Sequence, residues 1–105
     1  MASSISANVL LRIEKNPYCV ARNTDSLHVL KFLMKHSNPE VRLATTFNNL
    51  IRKKLLSTLV NDKDHYVRYA VAIHQLTCSA DLIKLSNDKN KLVRKGVSEN
   101  FKFSQ

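Results

Sequence analysis

Leu55-Leu56-Ser57-Thr58-Leu59-Val60-Asn61-Asp62-Lys63-Asp64-His65-Tyr66-Val67-Arg68-Tyr69-Ala70-Val71-Ala72-Ile73-His74 is the stretch from which the rest of the chain can be read. Its Val67-Arg68 pair has counterparts 26 residues to either side, Val41-Arg42 and Val93-Arg94. The same step of 26 carries Leu30 to Leu56 to Leu82, Leu33 to Leu59 to Leu85, Ala44 to Ala70 to Gly96, and Asn38 to Asp64 to Asn90. Several ladders in one register mark a repeat protein, in which each unit buries its apolar face against its neighbours.

Within one period the apolar residues Leu30, Leu33 and Met34, then Leu55, Leu56, Leu59 and Val60, then Leu82, Ile83 and Leu85, follow the i, i+3, i+4 spacing of a buried helix face. A short polar break follows each run, and its last residue, Asn38, Asp64 or Asn90, is suited to accept the open N–H groups of a second helix. Pro39 fits the first position of that helix, where its missing N–H costs nothing. The second helices are expected to begin near residues 39, 65 and 91, to run about nine residues through Val41, Ala44 and Phe47 and their equivalents, and to end near Asn48, His74 and Asn100. The unit is therefore a helical hairpin. Residues 1–105 read as one all-α domain, a short α-solenoid with repeats at about 24–49, 50–75 and 76–101 and a degenerate copy at about 5–23, where Asn16-Pro17 replaces the Val-Arg pair.

The pattern LLxxLxxDxxxxVRxxVAxN resembles HEAT repeats, most closely the short form called the leucine-rich repeat variant, over nearly the whole chain. The resemblance implies that an Asp and an Arg six residues later join neighbouring hairpins by a hydrogen-bonded ladder. Asp62 with Arg68 and Asp88 with Arg94 match that spacing, whereas His36 stands where the acid before Arg42 belongs. It assigns Arg42, Arg68, Arg94, Asp62 and Asp88 to structure, in keeping with the rule that buried charges must be paired.

Charge is the second strong signal: 17 Lys and Arg against 8 Asp and Glu give a formal net charge of +9. The ladder residues account for little of this excess. It gathers in Arg52, Lys53 and Lys54 and in Lys84, Lys89, Lys91, Lys95 and Lys102. Such a surface keeps a protein in solution or attracts nucleic acid, acidic proteins or anionic lipid. Base-specific readout is unsupported, since the sequence has no zinc module, no aromatic RNA-recognition motif and no helix-turn-helix with a turn glycine. Some HEAT-like proteins, the alkylpurine DNA glycosylases among them, grip DNA on a basic concave face with a tryptophan beside a catalytic Asp, and this chain has no tryptophan. Gly-rich phosphate loops and nucleophile elbows are missing too, so the sequence does not read as an enzyme.

Tyr66 and Tyr69 are candidates for binding a protein partner, because aromatic rings bury much area at low entropic cost, or for packing on a neighbouring helix. Phe101 and Phe103, beyond the last matched repeat, and Ile5, Val9, Leu10 and Ile13 at the other end, are apolar where a free repeat end is normally polar. They suggest a cap, a docking element or a homodimer through the open ends. Cys19 and Cys78 have no CxxC pairing and read as free, buried thiols, and His74 with Cys78 lacks the second pair a zinc site needs. No cofactor is expected, and the cysteine-rich segment that holds an iron–sulfur cluster in the founding leucine-rich repeat variant has no counterpart. With no stretch of roughly 18 apolar residues and no secretion signal at Met1 to Ser6, the sequence reads as cytoplasmic. Its wealth of Lys and Asn is common in AT-rich genes such as those of phages. The expected role is a small adaptor, inhibitor or accessory protein acting on a protein partner, with sequence-tolerant nucleic-acid binding as the second reading.

Overall fold

Asn38, Asp64 and Asn90 each cap a helix, their side-chain oxygens accepting from Glu40, from Tyr66 and Val67, and from Leu92. Pro39 sits in the first turn behind Asn38. These caps belong to a computed structural model that describes residues 5–100 and is all-α, with eight helices and no strand among the described residues. In chain order they are α1 (Ala7–Lys15), α2 (Pro17–Asn23), α3 (Leu27–Leu33), α4 (Pro39–Thr45), α5 (Lys53–Ser57), α6 (His65–Ile73), α7 (Ser79–Leu85) and α8 (Lys91–Glu99). The chain divides into two compact units between Leu50 and Ile51.

The first unit holds α1 to α4. Ile13, Ala21, Val29, Leu33, Val41 and Ala44 form its core, with Ile5, Val9 and Val20 packed against it. Its second helices, α2 and α4, lie against each other. The second unit repeats the scheme with α5 to α8: α6 packs along α8, and Leu56, Leu59, Val67, Val71, Leu82, Leu85, Val93 and Val97 are buried. The approach of α6 to α8 depends on Gly96. A Cβ there would stand 2.8 Å from Cδ1 of Tyr69, so the only residue without one lets the helices meet.

Several positions depart from the sequence reading. Ile83 is exposed, because Leu82 and Leu85 take the inward side of α7 and the next residue along lies about 100° round the axis. Phe47, in the turn beyond α4, and Ile73, the last residue of α6, are exposed as well. Helix α4 spans seven residues and not nine. The Thr45 and Thr46 hydroxyls donate to the Arg42 and Leu43 carbonyls at 2.5 and 2.7 Å, and the chain leaves α4 through tighter turns in which Phe47 and Asn48 donate to Ala44 and Thr45. In the degenerate copy, Asn16 accepts from Cys19 and Pro17 opens α2, so Asn16-Pro17 does there what Asn38-Pro39 does before α4. Both cysteines are free; Cys78 is half-buried, but Cys19 is exposed on α2 and not in a core.

No helix among the described residues is long and apolar enough to cross a membrane. Phe101, Lys102 and Phe103 lie outside the described residues.

Candidate functional site

The Val-Arg arginines share one backbone tie. In each, Nη1 donates to the carbonyl six residues back: Arg42 to His36 at 2.7 Å, Arg68 to Asp62 at 2.6 Å and Arg94 to Asp88 at 2.7 Å. That tie stays within one hairpin and uses no side chain of the earlier residue, which is why a histidine suffices at 36. The link between hairpins is a second bond set. Nε and Nη2 of Arg68 fork onto the Asp88 carboxylate at 2.7 and 3.2 Å, and both side chains are only 9% exposed. The cross-hairpin partner of Arg68 is thus the acid 20 residues on, at the head of α8.

Asp88 also receives the Asn90 N–H at 2.8 Å. Burial alone pushes its carboxyl up, but the Arg68 fork, the Asn90 N–H and the positive charges of Arg68 and Lys89 together outweigh burial and hold it below the usual carboxylate range. Asp62 and His36 play the same turn-closing part, accepting the N–H groups of Asp64 and Asn38 at 2.9 and 3.0 Å. Asn48 and Asn100 close the far ends of the hairpins. Asn48 donates to the Ala21 and Thr24 carbonyls, and Asn100 to those of Ala72 and His74, at 2.8 to 3.0 Å. These polar side chains are therefore used in closing hairpins or in joining them.

What remains outward is a stripe of the second helices. On α6 it comprises the exposed Tyr66 and Ile73 and the half-buried Tyr69, at i, i+7 and i+3, with every residue between Val67 and Ala72 except Tyr69 buried. Tyr66 is 56% exposed and its ring lies 4.2 Å from that of His65. Tyr69 is partly committed: it covers Gly96, and its hydroxyl reaches Glu99 at 3.5 Å. The same positions of α4 and the turn behind it carry Glu40, Leu43 and Phe47, and those of α8 carry Leu92, Lys95 and Glu99. Phe47 is 58% exposed with the Arg22 guanidinium 5.2 Å above its ring. A helix buried on one face and apolar on the other is ready to bury the second face too. The apolar period of a single helix does not mark Phe47 and Ile73 as surface residues; their ladder, Phe47 to Ile73 to Glu99, ends on a charge and marks an outward position.

The lysines Lys53, Lys54, Lys84, Lys89, Lys91 and Lys95 and Arg52 are all exposed. Lys84 and Lys89 line a recess of about 400 Å³ around the Arg68–Asp88 pair, together with Lys63, which lies outside both sequence clusters. Lys91 and Lys95 lie one turn apart on α8. In the first unit, Lys31, Lys35, His28, His36 and Phe32 line a recess of about 620 Å³ on the side of α3. His74 uses Nδ1 to accept the Leu76 N–H at 3.0 Å. Among the described residues no three His, Cys, Asp or Glu side chains converge on a point where a metal would sit. Compared with protein-family models, with curated proteins and with solved structures, the chain finds no match.

Proposed function

We propose that this chain is a short α-solenoid of HEAT-like, leucine-rich-repeat-variant hairpins that binds another protein through the outward stripe of its second helices, acting as a non-catalytic adaptor or inhibitor. The observation that carries the reading is α6, which has Val67, Ala70 and Val71 buried on one side and presents Tyr66 and Ile73 on the other, with Tyr69 half-buried beside them. Aromatic residues on a rigid helix are the usual energetic centre of a protein interface. Supporting the repeat reading are the three second helices whose caps fall 26 residues apart and the recurrent arginine tie behind each cap.

The test is a paired variant, Tyr66→Ala with Ile73→Ser, compared with the parent in quantitative affinity capture. A protein held by the parent and lost by the variant, with unchanged melting, supports the reading; a partner retained undiminished rejects this stripe. One observation favours a second reading, sequence-tolerant binding of nucleic-acid backbone: Lys63, Lys84 and Lys89 share one recess. Reversing these three charges would then remove oligonucleotide binding that falls steeply with log salt, while leaving capture by the Tyr66 stripe in place.

A further inference from the structure

We infer that the Arg94 edge of the second unit takes the carboxylate of Glu14 from another copy of this chain, a head-to-tail joint repeating between molecules the Arg68–Asp88 pair made within one. This rests on the repeat reading above. Arg94 is the fourth residue of α8 as Arg68 is of α6, and its Nη1 is anchored on a carbonyl six residues back in the same way. In Arg68 the remaining Nε and Nη2 edge holds Asp88. In Arg94 that edge has no partner among the described residues, and the side chain is exposed.

The internal pair also specifies the acceptor: a carboxylate two residues ahead of the cap of a second helix. Four residues hold that position, ahead of Asn16, Asn38, Asp64 and Asn90. Position 36 is a histidine, and Asp62 and Asp88 are engaged. Glu14 is exposed, carries the charge, and has no partner among the described residues. A second observation is independent of charge. Leu10 and Leu11 on α1, the helix that bears Glu14, are 44% and 55% exposed. Closing the joint would cover apolar surface on α1, and the ion pair would set its register.

The experiment is weight-average mass by sedimentation equilibrium across a concentration series, with melting curves recorded on the same samples. The parent is expected to rise above the 12.0 kDa of one chain as concentration increases. Arg94→Glu and Glu14→Arg should each weaken association about tenfold or more, since like charges would face each other at the joint. An equimolar mixture of the two should restore it, because every mixed contact again sets an arginine against a glutamate. A parent that stays at the mass of one chain, single variants that associate as the parent does, or a mixture that does not recover would overturn the inference. Asp88→Asn keeps the two readings apart. If it destabilises the fold while the parent does not associate, the repeat pairing stands and the intermolecular joint falls; if it has no effect on stability, both fall.

Discussion

The two units close their far ends with the same asparagine tie, Asn48 in one and Asn100 in the other, but differ in the polar devices at the helix heads. In the first, every helix is capped by a side chain that accepts a backbone N–H: Ser6 for α1, Asn16 for α2, Ser26 for α3 and Asn38 for α4. Its hairpins share no charged pair among the bonds described; the Tyr18 hydroxyl instead accepts from Nδ2 of Asn38 at 3.1 Å. In the second, only α6 and α8 are capped in this way, while Arg52 and Cys78 at the heads of α5 and α7 make no side-chain cap. What the second unit adds is a carboxylate on each of two cross-hairpin bonds: the Arg68–Asp88 fork and a bond from the Ser57 hydroxyl to Asp81. Both halves are tied between hairpins, then, but the first adds a cap at every helix and only neutral ties, whereas the second leaves two helices uncapped and adds a charged tie. Each device is worth on the order of 1 kcal/mol or a little more, so either suffices.

The largest expected effect is on the fork. Asp88→Asn should cost the second unit about 1.5 to 3 kcal/mol at neutral pH, because the nearly buried Arg68 loses its charged acceptor. Hydrogen exchange should quicken in α6 and α8 and leave α2 and α4 unchanged. The pH dependence has a definite sign. Asp88 is held below the ordinary value of 3.8, so its contribution is fully present above that value and disappears as pH falls through the lower folded-state value. The parent should lose stability below pH of about 4, and the gap between parent and Asp88→Asn should close there. A gap that persisted into strong acid would mean that packing, not charge, makes the pair matter.

A smaller effect tests the caps. Cys78 has the extended backbone of a capping residue, φ −73° and ψ 158°, but its thiol accepts nothing from the first turn of α7. Cys78→Ser puts a hydroxyl there and should stabilise by about 0.5 to 1 kcal/mol. In a domain of this size that raises the melting temperature by about 4 °C, read by calorimetry. No rise would show that α7 is already fixed by the bond from Ser57 to Asp81.

The 26-residue ladders made the hairpins and the three later caps legible, because a cap needs a specific residue type at a specific place. The direction of the arginine link was not legible in the spacing of six. That spacing describes Arg68 against the Asp62 carbonyl, a backbone contact any residue could supply, whereas the carboxylate it grips is 20 residues on and appears only when hairpins pack. The candidate interface was half legible. Tyr66 and Tyr69 stood out as aromatics, but Ile83, Phe47 and Ile73 were assigned by helical period, which cannot tell an inward from an outward residue when apolar side chains adjoin. Comparing Ile83 with its ladder mates Lys31 and Ser57, both exposed, would have placed it outside.

The same comparison reinterprets His36. An acid there would not have served Arg42, whose tie goes to the His36 carbonyl; it would have served an arginine at the fourth position of α2, where the chain has Val20. Both ends of the first unit's fork are missing together, as expected if a carboxylate without its guanidinium gains nothing. Val20→Arg combined with His36→Asp should therefore install the pair, since an aspartate retains the acceptor that Nδ1 of His36 offers the Asn38 N–H. Val20 packs on the core, so the arginine alone should destabilise, and the quantity to measure is the coupling in a double-mutant cycle. It should be about 0.2 to 1 kcal/mol in favour of the pair, the range for a partly exposed ion pair. A coupling of zero would mean that the Tyr18 to Asn38 bond holds α2 and α4 at a spacing the fork cannot bridge, and that the two units differ in backbone geometry and not only in side-chain chemistry.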